Sequence, residues 1–180
     1  LVASVVMGAL FSGAAFAQVK VGVISSSTGP IAMVGIPQKN SVPLMPTKVG
    51  NLTVQYIPLD DGSDPTASVV AIKKLISEEN VDAIIGPSGS PNAMGVIQFA
   101  AEAGVPLLAP VGTAAVVLPM DDKKKWVFKT TQNDQLIADA LVGHMAKHGI
   151  KTVGFIGSSD PYGENWAKVF TESAGRKGIK

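Results

Sequence analysis

The 180-residue sequence predicts an α/β fold: a flavodoxin-like parallel sheet with crossover helices, followed by the start of a second α/β lobe. Two observations carry this. From Val19 onward, short β-branched runs alternate with amphipathic segments, the pattern of strands joined by helices rather than by hairpins. Two of the apolar runs then stop abruptly in hydroxyl- and glycine-bearing loops, GPSGS at residues 86–90 and PVGT at 110–113. A loop that only reversed the chain would need glycine or proline, not serine and threonine at these points.

Taken in order, residues 1–17 (LVASVVMGALFSGAAFA) carry no charge and end in Ala15-Phe16-Ala17, a small-x-small cleavage signal. They read as an incomplete secretory signal peptide, with the mature chain starting near Gln18, and they are short and glycine-interrupted for a membrane span. Strands are expected at 19–25, 52–59, 82–86, 105–109, 126–130 and 152–156, and helices near 65–79, 91–103, 134–148 and 163–177. In the first of these helices Asp64 can cap, Pro65 takes the first helical position, and Val69, Ile72, Leu75 and Ile76 form one apolar stripe. Residues 35–51 hold Pro37, Pro43 and Pro46, which permit only a short or distorted helix.

This divides the chain into a ligand-binding lobe, 18–130, and the beginning of a second lobe, 131–180. Phe128–Asp134 (FKTTQND) would carry the chain across. The sequence stops just after a helix where a strand should follow, so the chain is expected to be a fragment.

Composition excludes several functions. With no cysteine there is no disulfide framework, thiol nucleophile or cysteine metal site. A formal net charge of +1 makes no electrostatic case for nucleic acid, and Lys123-Lys124-Lys125 sits beside Asp121 and Asp122 in a solvated turn. GPSGS lacks the last glycine of a nucleophile elbow. His144 and His148 have zinc-ligand spacing, but Met145 stands where a metalloprotease needs glutamate, so they read as surface or partly buried histidines. No dinucleotide fingerprint or P-loop is present, and no cofactor, metal or catalytic residue is expected.

What remains is the crevice outside the carboxyl ends of the strands, where an open α/β sheet binds ligands. There lie the loops from Ser25, from Gly86 and from Pro110 to Thr113. Ser90 followed by Pro91 reads as a cap and first turn that leaves the amides of Asn92 and Ala93 free for a carboxylate or phosphate.

The segments VKVGVISSSTGPIAMVG, DDGSDPTASVVAIKKLI, AIIGPSGSPNA, VPLLAPVGTAA and DPYGENW, in that order after a signal peptide, together resemble the branched-chain amino-acid type of periplasmic substrate-binding protein. The resemblance covers nearly all of residues 19–180. It implies the type I periplasmic-binding-protein fold, with two lobes that close on a small-molecule ligand. It also implies a soluble monomer, leucine-binding-protein-like, that delivers its ligand to a membrane ABC permease. Residue by residue, it puts Ser90 on the ligand carboxylate, Thr113 on carboxylate or ammonium, backbone groups of Val111 and Gly112 on the same ligand head, and Tyr162 over the ligand from the second lobe. Val34 stands where many relatives place an aromatic against the ligand side chain, which implies a roomier or differently shaped side-chain pocket, and the resemblance leaves the ligand open between an amino acid, an amide and an aromatic carboxylate. Positions that some relatives join by a disulfide are Ser63 and Gly89 here. An acidic group completing an ammonium site is expected beyond Lys180. The rival readings are an exported α/β hydrolase and the ligand-sensing domain of a receptor.

Overall fold

A computed structural model describes residues 18–180, and the expected signal peptide, 1–17, lies outside the described residues. The elements run β1 (Gln18–Ser25), α1 (Ala32–Ser41), β2 (Lys48–Val49), β3 (Leu52–Asp60), α2 (Pro65–Ser77), β4 (Ala83–Ile85), α3 (Ser90–Ala103), β5 (Leu107–Ala109), β6 (Val127–Lys129), α4 (Asp134–Lys147) and α5 (Pro161–Arg176). The sheet order is β2-β3-β1-β4-β5-β6. All pairings are parallel except that of β2 with β3. Without the small β2 edge, the parallel strands have the flavodoxin-like order expected from the sequence, with the direction of winding changing between β1 and β4.

The core forms where the strand and helix periodicities meet. Ile24, Ile84 and Leu107 from the sheet are packed with Ile72 and Leu75 of α2 and Val96 and Ala100 of α3. The α2 stripe is as expected, with Val69 and Ile76 partly buried beside it. Asp64 caps α2 by accepting from the amides of Thr66 and Ala67, and Pro65 opens the helix. Gly22 on β1 lets α2 approach, because a Cβ there would stand 2.6 Å from Leu75 Cδ1. Between the two helices, the buried carboxylate of Asp61 accepts from the Ser68 hydroxyl (2.7 Å) and from Asn92 Nδ2 (2.9 Å), tying the end of β3 to α2 and α3.

The proline-rich stretch holds a short, distorted helix, as expected: α1 starts earlier, has ten residues, contains Pro37 and tightens into a 3₁₀ turn at Val42–Leu44. Pro37 deletes a single intrahelical bond, and the later prolines fall at the turn and beyond. Three expectations are corrected. The first concerns α3: its cap is Gly89, and Ser90 is already the first helical residue. The second is that the Ala93 amide is taken by Gly89 O at 2.9 Å. Finally, residues 152–156 do not form a strand. A strand needs a ladder, and among the described residues only Lys180 offers this segment backbone bonds: Val153 N–H donates to its carbonyl, and its N–H donates to Lys151 O. Ile156 is fully exposed.

α4 and α5 pack against each other around Val142, Phe170, Ala174 and Ile179. Asp160 caps α5 through the amides of Tyr162 and Gly163, with Pro161 in the first turn.

Candidate functional site

The loops after β1, β4 and β5 meet the N-terminal ends of α4 and α5 around a cavity of about 500 Å³. That is within the roughly 300–1,000 Å³ range of small-molecule sites. Pro30, Ile31 and Val34 come from the first loop and α1, Ser88 to Asn92 from the second, and Pro110 to Gly112 from the third. Asp134, Ile137, Tyr162 and Trp166 face them from the two C-terminal helices.

Five of the six site residues expected from the sequence, Ser90, Val111, Gly112, Tyr162 and Val34, therefore line one cavity. Ser90 is buried in its wall at the start of α3. The cap residue, Gly89, has no side chain to occupy the first amides, and Pro91 has no N–H, so the Ser90 and Asn92 amides are the donors this helix end offers. The helix dipole adds partial positive charge there, and the site favours an anion. Val111 is held by the Thr131 hydroxyl, which donates to its carbonyl at 2.6 Å. Val34 and Tyr162 are both 45% exposed, at the mouth.

Thr113 is placed differently. It is fully buried, its Oγ1 accepts from the Ala115 amide at 3.2 Å, and it caps the 3₁₀ turn Ala114–Val116 rather than lining the cavity.

Ser88 also lines the cavity, but its hydroxyl is engaged. It accepts from the Ser26 amide at 3.0 Å and donates to the Gln38 side-chain oxygen. An amide oxygen is no general base, so this serine holds the β1 loop and α1 together instead of acting as a nucleophile. His144 near the end of α4 and His148 at its C-cap stand 4.3 Å apart, ring to ring, are both exposed, and do not line the cavity.

Sequence reasoning missed Asp134 and Trp166. Asp134 is 2% exposed, and its Oδ2 accepts from Asn165 Nδ2 at 2.6 Å. Burial pushes its carboxyl above the ordinary carboxylate range, against the Asn165 bond and the nearby Lys129 charge. Gly112 is wedged against it: a Cβ there would lie 2.7 Å from Asp134 Oδ1 and 2.9 Å from Tyr162 Cε2. Tyr162 meets Trp166 edge-on, with ring centroids 6.5 Å apart. In the sequence, Asp134 carries the ordinary signal of an acid in a helix's first turn, which conceals its burial.

A switch-point cavity with an anion-favouring helix end, apolar walls and no activated nucleophile among its described residues defines a ligand-binding α/β protein. The chain belongs to the periplasmic binding protein family, whose profile matches residues 18–180. It is 26% identical to a Leu/Ile/Val-binding protein of Rhizobium johnstonii over 99% of this chain and 50% of that one. An extracellular ligand-binding receptor from Rhodopseudomonas palustris superposes with a TM-score of 0.88 at 43% identity, over 91% of this chain and 45% of the other. An R. palustris ABC-transporter solute-binding protein, solved in complex with 4-hydroxybenzoate, gives a TM-score of 0.81 at 27% identity, over 91% of this chain and 45% of that one. The chain thus spans about half the length of the curated relatives it matches. Its fold is the type I periplasmic-binding-protein fold, and the relatives it matches are named as ligand-binding proteins.

Proposed function

We propose that this chain is part of the extracytoplasmic solute-binding component of an ABC importer, a monomer in the periplasm that takes a small carboxylate-bearing ligand between two lobes. The observation that carries the reading is the wall formed by Ser90 and the open first turn of α3, facing Tyr162 and Trp166 across the cavity. Charge-assisted bonds from the Ser90 hydroxyl and the Ser90 and Asn92 amides hold the carboxylate. Val111 and Gly112 line the same ligand head, and Val34 and Tyr162 cover the ligand's apolar body. Thr113, buried as a cap, supports the third loop from behind.

The lobes divide near residue 130, and ligand bridging them favours the closed form that a permease recognises. The relatives named above put branched-chain amino acids and aromatic carboxylates in the same ligand class. The test is titration calorimetry of the full-length protein containing this chain against leucine, benzoate and 4-hydroxybenzoate. Binding of at least one of them, weakened in Ser90→Ala, is the expected result. No heat with any of the three overturns the reading.

A further inference from the structure

Two side chains flank Gly89, the cap of the anion-favouring helix end, and both are tied to one buried carboxylate. A Cβ on Gly89 would stand 2.7 Å from Asn92 Oδ1 and 2.9 Å from Ile31 Cδ1, so these residues border the open first turn of α3. Asn92 is held directly: its Nδ2 donates to Asp61 Oδ2 at 2.9 Å and to the Ser68 hydroxyl at 2.8 Å. Ile31 is held through Ser63. The Ser63 amide donates to Asp61 Oδ1 at 3.0 Å, and the Ser63 hydroxyl accepts from the Ile31 amide at 3.2 Å while donating to the Thr28 carbonyl at 2.7 Å. Asp61 is 1% exposed and stands behind the cavity, whereas Ser63, Ile31 and Asn92 line it. Ser63 holds its place with φ at 66°, in the left-handed region where a residue other than glycine is uncommon. The hydroxyl is what serine adds there. It serves the start of α1, whose cap residue, Ile31, makes no side-chain cap bond of its own.

We infer that Ser63 is a positioning residue of the ligand site: its hydroxyl fixes Ile31 beside the first turn of α3, and Asp61, by holding both Ser63 and Asn92, sets the spacing between this apolar wall and the anion-favouring end. An apolar side chain held there keeps water away from the Ser90 and Asn92 amides, and a bond from those amides to a carboxylate strengthens as water leaves. If Ile31 drifts, the first turn of the helix is wetted and the ligand's body loses its wall. The inference deepens the carboxylate-binding reading and rests on it.

The test is Ser63→Gly in the full-length protein. Glycine accepts the positive φ and keeps the amide that Asp61 holds, so only the hydroxyl is lost. Leucine, benzoate and 4-hydroxybenzoate are the probes, in titration calorimetry. Affinity for whichever of them the wild type binds is expected to fall about tenfold. The ligand-free variant should melt within about 2 °C of wild type, which separates positioning from loss of the fold. In an Ile31→Ala background the same substitution should cost less than about twofold, since no wall is left to misplace. Hydrogen exchange reads the latch without a ligand: the Ile31 amide should exchange at least about tenfold faster in Ser63→Gly than in wild type. Unchanged affinity in Ser63→Gly, or unchanged exchange at Ile31, overturns the assignment. An equal loss of affinity with and without the Ile31 side chain means that Ser63 meets the ligand itself, and overturns it too. Failure of all three probes with the wild type removes the carboxylate reading and this role with it. That result is distinct from failure of the inference alone, in which the wild type binds a probe and Ser63→Gly binds it as well.

Discussion

Substituting Gly112 by alanine tests whether the cavity wall is as rigid as its contacts imply. The added Cβ would stand 2.7 Å from Asp134 Oδ1 and 2.9 Å from Tyr162 Cε2, so they must recede by about 0.7 and 0.5 Å to reach the 3.4 Å at which ordinary contact begins. The two obstacles differ in stiffness. Tyr162 is 45% exposed and can swing outward at little cost. Asp134 is 2% exposed and pinned by Asn165, so it resists. Overpacking a tight site costs about 1–3 kcal/mol, and with one of two contacts yielding, the lower half of that range applies. Ligand affinity should fall about tenfold, equivalent to about 1.4 kcal/mol. Titration calorimetry on the full-length variant measures this directly. If Asp134 is the resisting group, Gly112→Ala should cost the same in a Tyr162→Ala background. An affinity within about twofold of wild type would refute the argument, and a loss that disappears with Tyr162→Ala would move the stiffness to the ring.

Ser90→Ala should weaken carboxylate binding by roughly 1.5–3 kcal/mol, whereas Thr113→Ala should lower thermal stability by about 1 kcal/mol with little change in affinity, because its oxygen caps a turn. Calorimetry and thermal melts on the two variants separate the roles. Asp61→Ala should destabilise the fold by about 3 kcal/mol, since Ser68 and Asn92 lose a buried acceptor, and chemical denaturation reads the change. Asp134 has a raised carboxyl pKa in the folded state, so its contribution to stability is present below the unfolded carboxylate pKa and is lost as pH rises through the folded one. Ligand-free Asp134→Asn should therefore melt higher than wild type at neutral pH. The gap should close on acidification, and a constant gap across pH would contradict this.

The parts of the fold that follow from local chemistry were legible. The Asp64-Pro65 start of α2 needs only a cap and a fixed φ, and the strand order follows from alternating periodicities. The three switch-point loops could be located because their position depends on topology, not on side-chain detail. Residues 152–156 were misread because β-branched composition signals a strand whether or not a ladder is there to receive it. Ser90 looked like a cap because serine before proline has that meaning in isolation, yet the backbone turns one residue earlier, at Gly89. Asp134 and Trp166 were not legible as site residues. Their burial arises from the meeting of α4 and α5 with the β5 loop, a contact between segments far apart in the chain.

That distance in sequence has a practical consequence. The cavity's walls come from residues as far apart as Pro30 and Trp166, so a bound molecule acts as a reversible cross-link across most of the chain. Such a molecule, binding only the native form, raises unfolding free energy by about 2.7 kcal/mol at a hundred times its dissociation constant. A library of small organic acids can therefore be sorted by melting temperature alone, and the cognate solute identified without labelling, transport or prior assumption about its chemistry.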